Sequence, residues 1–477
     1  MTRKSPTPFN LGPAHIVGIG GIGMSAIADV MLTMGYEVQG SDIRESEIVE
    51  RLRARGATVH IGHDGAHVKG AGTVIISTAI KKGNPEVDAA RAAGIPVVRR
   101  SNMLAEITRL KYTVCVAGTH GKTTTTSMVA ALLDGADVDP TVINGGIIQA
   151  YGSNYKAGSS DWMVVESDES DGTFAKLKPT CAIVTNIDAE HMDHYGTMEN
   201  LRDAFDTFVE NLPFYGFAVL CTDHPEVQAL AARIVDRRRI TYGFNRQADV
   251  RAINMKTDLQ GAHFDVALRR PGSTAPRMIE GLVLPMAGEH NVQNALAAIT
   301  VAIELGASDE QLRVSLAGFG GVQRRFTDVG DWTPVKGEAP VKIIDDYGHH
   351  PVEISAVLKA ARDMLGQGQL IAVAQPHRYT RLEDLFEEFS TCFDKADHVL
   401  ISPVYEAGEQ PIEGVNHEAL VKSMTSHGHK GARAIGSLDD LPEEIKALAK
   451  PGGMVVCLGA GSISAYANAL AEKLAKN

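Results

Sequence analysis

Residues 113–133 read TVCVAGTHGKTTTTSMVAALL: an apolar β-type run, a glycine loop and a helix rich in small and aliphatic residues. A buried strand passing through such a loop into a helix is the repeating unit of a parallel α/β sheet. The loop itself is Gly118-Thr119-His120-Gly121-Lys122-Thr123. Glycines let the backbone wrap closely, so its N–H groups face phosphate oxygens, and the helix N-terminus adds the positive end of its dipole. Lys122 reaches the β/γ phosphates of a nucleotide and the Thr123 hydroxyl suits Mg²⁺. The spacing is shorter than the common template, with two residues between Gly118 and Gly121.

The same strand–helix rhythm extends in both directions. Upstream, HIVGIGG, YEVQGSD, TVHIG, TVIIST and PVVRRS alternate with helical spacing at 24–34 and 48–55. Gly18-x-Gly20-x-x-Gly23 follows the first of these strands, and Asp42 ends the next. That pattern fits NAD, FAD or any diphosphate-bearing nucleotide. Downstream, VVES, CAIVTNI and FAVLCTD read as buried strands. Between about 238 and 286, strand-like runs follow one another across turns, which predicts an antiparallel excursion. Alternation returns with VKIIDDYG, LIAVAQPH, HVLISPVY, ARAIG and MVVCLGAG. Breaks at Arg109–Lys111 and Gly320–Gly321 divide the chain into 1–109, 110–322 and 323–477. The expected fold is α/β in three domains: a Rossmann-like N-terminal domain, a central P-loop ATPase-type domain carrying the excursion, and a Rossmann-like C-terminal domain.

Composition narrows the function classes. A net charge of −12 argues against sequence-independent nucleic-acid binding. No apolar run is long enough to span a bilayer, and residues 1–10 are polar with two prolines, so a cytoplasmic location with no membrane partner is expected. Of the five cysteines, Cys115, Cys181, Cys221 and Cys457 sit within apolar runs and read as small buried hydrophobes rather than a disulfide framework. Arg237–Arg239 reads as a solvated turn. GAGSIS at 459–464 lacks the lysine of a phosphate loop; it is either a turn before the last helix or part of an acceptor site.

Acidic and histidine residues follow the phosphate loop. Glu166 closes the apolar run Trp162–Glu166, where a Mg²⁺ ligand is expected beside a phosphate-loop strand. Asp168, Glu169 and Asp171 read as a solvated, helix-capping turn. His191, Asp193 and His194 lie just past CAIVTNI, on the same rim as Glu166, and His191 is a candidate ligand for a second metal. Lys122, Glu166 and His191 form the expected catalytic set, with Thr123, Glu166 and His191 as metal ligands.

Taken in order, Gly118-x-His120-Gly-Lys122-Thr-Thr, Glu166 before SDESD, Asn186 followed by His191-Met-Asp193, Gly288-x-His290-Asn291-x-x-Asn294, Arg324-Arg325-Phe326 and Asp345-Asp346-Tyr347-Gly-His349-His350-Pro resemble the Mur ligase family. These are ATP-dependent amide-forming enzymes of bacterial peptidoglycan synthesis, and the resemblance spans essentially the whole chain. Within it, GIGGIGMSAIA, DDYGHHPVEI and AQPHRYTR look like the branch that joins L-alanine to UDP-N-acetylmuramate. The resemblance implies ATP and Mg²⁺ as cofactors. It implies that Gly20, Gly21, Ile22, Gly23, Asp42 and Ser77 meet the UDP-sugar. It implies that Gly118, Thr119, His120, Gly121, Lys122, Thr123, Thr124, His290, Asn291, Asn294, Arg325 and Asp346 meet ATP. Tyr347, His349, His377, Arg378 and Arg381 would line the L-alanine site, with arginine suited to its carboxylate; a surface role, paired with Glu383 and Asp384, is the alternative for the two arginines. Several relatives carry a carbamylated lysine a little after the metal-binding histidine. Residues 201–208 read LRDAFDTF here, without a lysine.

Three other readings compete. A family member that joins a recycled murein peptide to the same sugar nucleotide would need a larger acceptor pocket. An NAD-dependent dehydrogenase leaves Lys122, Glu166 and His191 without a task. A nucleotide-dependent scaffold has no need of Glu166 and His191 together. A monomer or weak dimer is expected.

Overall fold

The computed structural model describes residues 12–476, apart from 171, 259, 270, 271, 273 and 274. The reading of residues 1–10 and that of Asp171 lie outside the described residues. The fold is mixed α/β with a sheet in each third of the chain. It falls into two compact units, 1–251 with 296–312, and 252–295 with 313–477.

The first unit holds two sheets. In the N-terminal sheet the strand order is Thr58–Ile61, Val38–Asp42, Ala14–Val17, Thr73–Ile76, Val97–Arg99, all parallel. The chain therefore starts in the middle, winds to one side and then crosses to the other. This places a crevice at the carboxyl ends of Ala14–Val17 and its neighbours, the usual ligand position of such sheets. The helix Ile22–Thr33 buries Met24, Ile27, Val30 and Met31, and its cluster extends to Met163 and Val165 of the next sheet.

The central sheet runs Ser153–Lys156, Thr141–Ile148, Trp162–Glu166, Tyr112–Ala117, Cys181–Val184, Phe217–Cys221, Arg238–Gly243, and then meets residues 250 and 251. Strands Tyr112–Ala117 and Trp162–Glu166 lie side by side, Val116 opposite Glu166, as the apolar runs predicted. Covered on both faces, these strands are apolar at nearly every position. Arg238–Gly243 is parallel to Phe217–Cys221, so it extends the parallel sheet rather than opening the antiparallel excursion. An antiparallel edge pair, Thr141–Ile148 with Ser153–Lys156, lies on the other side.

In the second unit, Gly261–Leu268 and Arg277–Leu284 form the antiparallel pair that the excursion foreshadowed. The C-terminal sheet runs Thr327–Trp332, Val341–Asp346, Met454–Leu458, Leu370–Ala374, His398–Ile401, Ala432–Ala434, parallel except at its first pair. Its two faces carry separate cores. Ile354, Leu358 and Phe389 belong to one; Ile445, Ile463 and Leu470 belong to the other. All five cysteines are free and buried, in keeping with their apolar contexts.

Arg237–Arg239 is more engaged than a solvated turn. Arg237 donates to the Glu210 carbonyl, Arg238 pairs with Glu304 and lies over Phe217, and Arg239 caps the Ile234 carbonyl.

Candidate active site

The phosphate loop leaves Tyr112–Ala117 and enters the helix Lys122–Gly135. Gly118 has φ +135°, and a Cβ there would fall 2.0 Å from the Thr185 hydroxyl, so only glycine fits. The segment after Cys181–Val184 braces the loop. Asn186 accepts from the His120 N–H at 2.7 Å and donates to the His120 carbonyl at 3.0 Å. The Thr185 hydroxyl donates to the same carbonyl, and the Thr119 hydroxyl accepts from the Asp188 N–H. A loop fixed in this way meets a ligand with little ordering cost.

Lys122 folds over the loop. Its ammonium donates to the Gly118 and Thr119 carbonyls at 2.6 and 3.0 Å and pairs with Glu169 at 2.8 Å. Glu169 is 1 % exposed, which corrects the reading of this residue as part of a solvated turn. Burial pushes its carboxyl up to about 7 against the opposing pull of Lys122. Asp168 does behave as a turn residue: it is exposed and accepts from the Ser170 N–H.

At the tip of its strand, Glu166 accepts from the Thr123 hydroxyl at 3.0 Å and from the Gly145 N–H at 2.6 Å. Thr124 is buried one residue further along the helix. His191 adopts a left-handed backbone, φ +58°, before a short helix. Its Nε2 lies 3.7 Å from Glu169 and 3.8 Å from Glu190. Ligand atoms of Glu169, Glu190 and His191 all fall within 4.8 Å of one another. The loop, Thr123, Glu166 and His191 were legible as candidates. Glu190 was not among them, Glu169 was read as part of a solvated turn, and Asn186 entered only as part of the family motif.

The first glycine loop opens onto a cleft of about 830 Å³ lined by Gly18, Gly20, Gly21, Asp42, His63 and Ser77, among others. Asp42 accepts from the Gly20 N–H at 2.8 Å, which ties the second strand's tip to the loop. Ile22 opens the following helix. Gly23 is not among the residues that line the cleft, and a Cβ there would lie 2.7 Å from the Arg100 guanidinium.

In the second unit, His290 and Asn291 open the helix Glu289–Glu304, after Gly288 at φ +98°. Burial, together with the Arg325 cation, pushes His290 down to about 4. The Asn291 amide donates to the Ala287 carbonyl, while Asn294 is 7 % exposed. Arg325 stacks over Tyr347 and approaches Glu353 at 3.8 Å. Asp346 is buried and accepts from the Phe326 and Gly348 N–H groups at 2.7 and 2.6 Å, so it shapes the turn that carries Tyr347. Burial pushes its carboxyl up to about 6.

A chain of rings continues from there: Tyr347 to His349, His349 to His377, His377 stacked on Tyr405. Burial and the neighbouring cations push His377 down to about 4, leaving it neutral near pH 7. Arg378 precedes the helix Tyr379–Asp384 with φ +72°, rare for a side-chain-bearing residue. Its Nε pairs with Glu409 at 2.5 Å, rather than with Glu383 or Asp384. Glu409 also accepts from the Thr380 N–H and hydroxyl. Arg381 lies one turn on, close enough to contribute to the shift of His377. The Gly459–Gly461 turn is held by Arg324, which donates to the Gly459 carbonyl at 2.8 Å, and by Gln375, which accepts from the Ile463 N–H.

Family models describing the Mur ligase family catalytic domain, the Mur ligase middle domain and the Mur ligase glutamate ligase domain match residues 13–112, 116–302 and 332–461. The chain is 77 % identical over 470 residues to the UDP-N-acetylmuramate–L-alanine ligase of Hyphomonas neptunium, covering 98 % of this chain and 99 % of that one. The crystal structure of UDP-N-acetylmuramate–alanine ligase from Thermotoga maritima superposes with a TM-score of 0.75 at 28 % identity, covering 98 % and 99 % of the two chains. The murein peptide ligase of Psychrobacter arcticus shares the fold, with a TM-score of 0.65 at 24 % identity over 98 % and 99 % of the chains. Phosphate loop, acidic rim and C-terminal ring chain thus occur in a sequence aligned end to end with such an enzyme, and the chain belongs to the Mur ligase family.

Proposed function

We propose that this protein joins L-alanine to UDP-N-acetylmuramate at the expense of ATP, in the cytoplasm, through an acyl-phosphate intermediate. The observation that carries the reading is the Lys122 ammonium held across a rigid phosphate loop beside Glu166 and Thr123. The full-length similarity to an alanine-adding ligase supports the choice of substrates over a recycled peptide. In this reading residues 1–109 bind the sugar nucleotide, 110–322 bind ATP and 323–477 bind L-alanine. Among the described residues no helix is long and apolar enough to cross a membrane.

A carboxylate is a poor acylating agent at neutral pH. Its attack on the γ-phosphorus of ATP releases ADP and yields an acyl phosphate whose leaving group is phosphate. Two anions must approach for this, and Lys122, freed from Glu169, offsets their repulsion. The amine of L-alanine then attacks the acyl carbon, phosphate departs, and the amide nitrogen loses a proton. The Arg378 guanidinium keeps its two Nη groups for the amino-acid carboxylate while Glu409 occupies Nε.

The oxygen donors Thr123 and Glu166 suit Mg²⁺, and the convergence of Glu169, Glu190 and His191 offers a second cation position. Bound there, Mg²⁺ supplies charge neutralisation for the phosphates. The test is phosphate release from ATP with UDP-N-acetylmuramate and L-alanine omitted in turn. Release only when both are present is expected; release indifferent to either contradicts the assignment.

A further inference from the structure

The cleft of the first unit is lined by one histidine whose inner edge is already taken. His63 is 20 % exposed at its side chain, and its Nδ1 lies 3.0 Å from both the Ser41 hydroxyl and a Glu86 carboxylate oxygen. Glu86 is fully buried at the second position of the helix Pro85–Ala92, with Asn84 capping that helix. Each of its oxygens has a hydrogen-bond partner. One accepts from the Ser41 hydroxyl at 2.6 Å and faces His63. The other faces His67 Nδ1 at 2.9 Å and His15 Nε2 at 3.5 Å. Gln39 donates to His15 Nδ1 at 3.2 Å, which leaves the His15 proton on Nε2, pointing at Glu86. So many donors hold the carboxyl ionised, down to about 2 in spite of its burial.

An ionised acceptor at that edge fixes the tautomer. The carboxylate only accepts, so the His63 Nδ1 that faces it carries a proton, and Nε2 is on the edge left to the cleft. A helix start explains a glutamate near Asn84-Pro85 only as a charge near the dipole. It does not explain a buried carboxylate surrounded by three histidines and a serine.

We propose that Glu86 is a positioning residue that presents His63 to the sugar nucleotide, so that Nε2 accepts an N–H or O–H of the ligand. The inference rests on the reading of this cleft as the UDP-N-acetylmuramate site. Diphosphate oxygens donate nothing, so the contact falls on the base, the ribose or the sugar.

The experiment is calorimetric titration of the full-length protein with UDP-N-acetylmuramate, alongside steady-state kinetics. His63→Ala and Glu86→Gln are each expected to weaken binding about tenfold, the cost of one hydrogen bond in a partly buried site, with the KM for ATP unchanged. The double variant is expected to bind no worse than His63→Ala, because both act through one contact. Should Glu86→Gln fail to fold, ¹⁵N shifts of His63 in the unmutated protein carry the test: Nδ1 protonated, Nε2 bare and shifting as the ligand is added. Normal binding by His63→Ala, an additive double variant, or a proton on Nε2 overturns the inference while the cleft assignment stands. An unmutated protein that binds no UDP-N-acetylmuramate overturns the cleft assignment and the inference together.

Discussion

Replacing Lys122 by methionine removes the cation but keeps much of the side chain's bulk. The consequence for stability depends on pH in a way the buried pair dictates. Glu169 is 1 % exposed and its carboxyl is raised to about 7. Because its folded value lies above the ordinary one, Glu169 costs nothing below the ordinary carboxylate range. The cost grows as pH rises towards 7, as the native state holds a proton the unfolded chain has released. Above 7 the ion pair with Lys122 forms and the cost levels off. Without Lys122 there is no pair to form, and the penalty continues to grow at about 1.4 kcal/mol for each further unit by which the carboxyl rises. Breaking a buried pair costs roughly 3–5 kcal/mol when the remaining charge cannot neutralise. Glu169 can take up a proton, so the one unit between 7 and 8 sets an expected loss of about 1.4 kcal/mol at pH 8, shrinking to under about 1 kcal/mol at pH 5.5. Urea unfolding of Lys122→Met and of the parent at both pH values measures the difference. Adding Glu169→Gln is expected to restore most of the stability at pH 8 while turnover stays absent, separating the structural role of the pair from the catalytic role of the charge. A Lys122→Met protein as stable as its parent at pH 8, or one equally destabilised at both pH values, refutes the reasoning.

Three further outcomes follow from the site. Glu166→Ala leaves the Thr123 hydroxyl and the Gly145 N–H without their acceptor; turnover is expected to fall on the order of a hundredfold and the Mg²⁺ requirement to rise, read from metal titrations of the rate. Asp42→Ala removes the tie to the Gly20 N–H and is expected to weaken UDP-N-acetylmuramate by about 1–3 kcal/mol with ATP binding unchanged; equal loss for both nucleotides contradicts two separate sites. Arg378→Lys keeps the charge but loses the donor fork that Glu409 orients; the KM for L-alanine is expected to rise about tenfold, while that for ATP stays within about twofold.

Strands such as Tyr112–Ala117 and Trp162–Glu166 were legible because burial on both faces makes them unbroken apolar runs, and their tips carry Gly118 and Glu166. Glu169 was not legible. A run of acids reads as solvated, and nothing local shows that the third residue past the strand turns inward to meet Lys122. Glu86 was hidden differently: Asn84-Pro85 accounts for it as a helix start, and its histidine partners lie between 19 and 71 positions away. Glu409 stands 31 residues from the arginine it holds, and the left-handed backbone of Arg378 has no signature in its side chain. The edge pair Thr141–Ile148 and Ser153–Lys156 escaped notice because Gly145 and Gly146 interrupt the first strand. Gly145 is there because a Cβ would lie 2.7 Å from the Glu166 carboxylate.

Everything proposed for the chemistry turns on the carboxylate of UDP-N-acetylmuramate attacking the γ-phosphorus of ATP before the amine arrives. Carboxyl-¹⁸O-labelled UDP-N-acetylmuramate tests this directly, with the released phosphate analysed by mass spectrometry after turnover with L-alanine. Passage through an acyl phosphate predicts that one labelled oxygen appears in each phosphate released. Unlabelled phosphate, formed while the amide product accumulates, would contradict it.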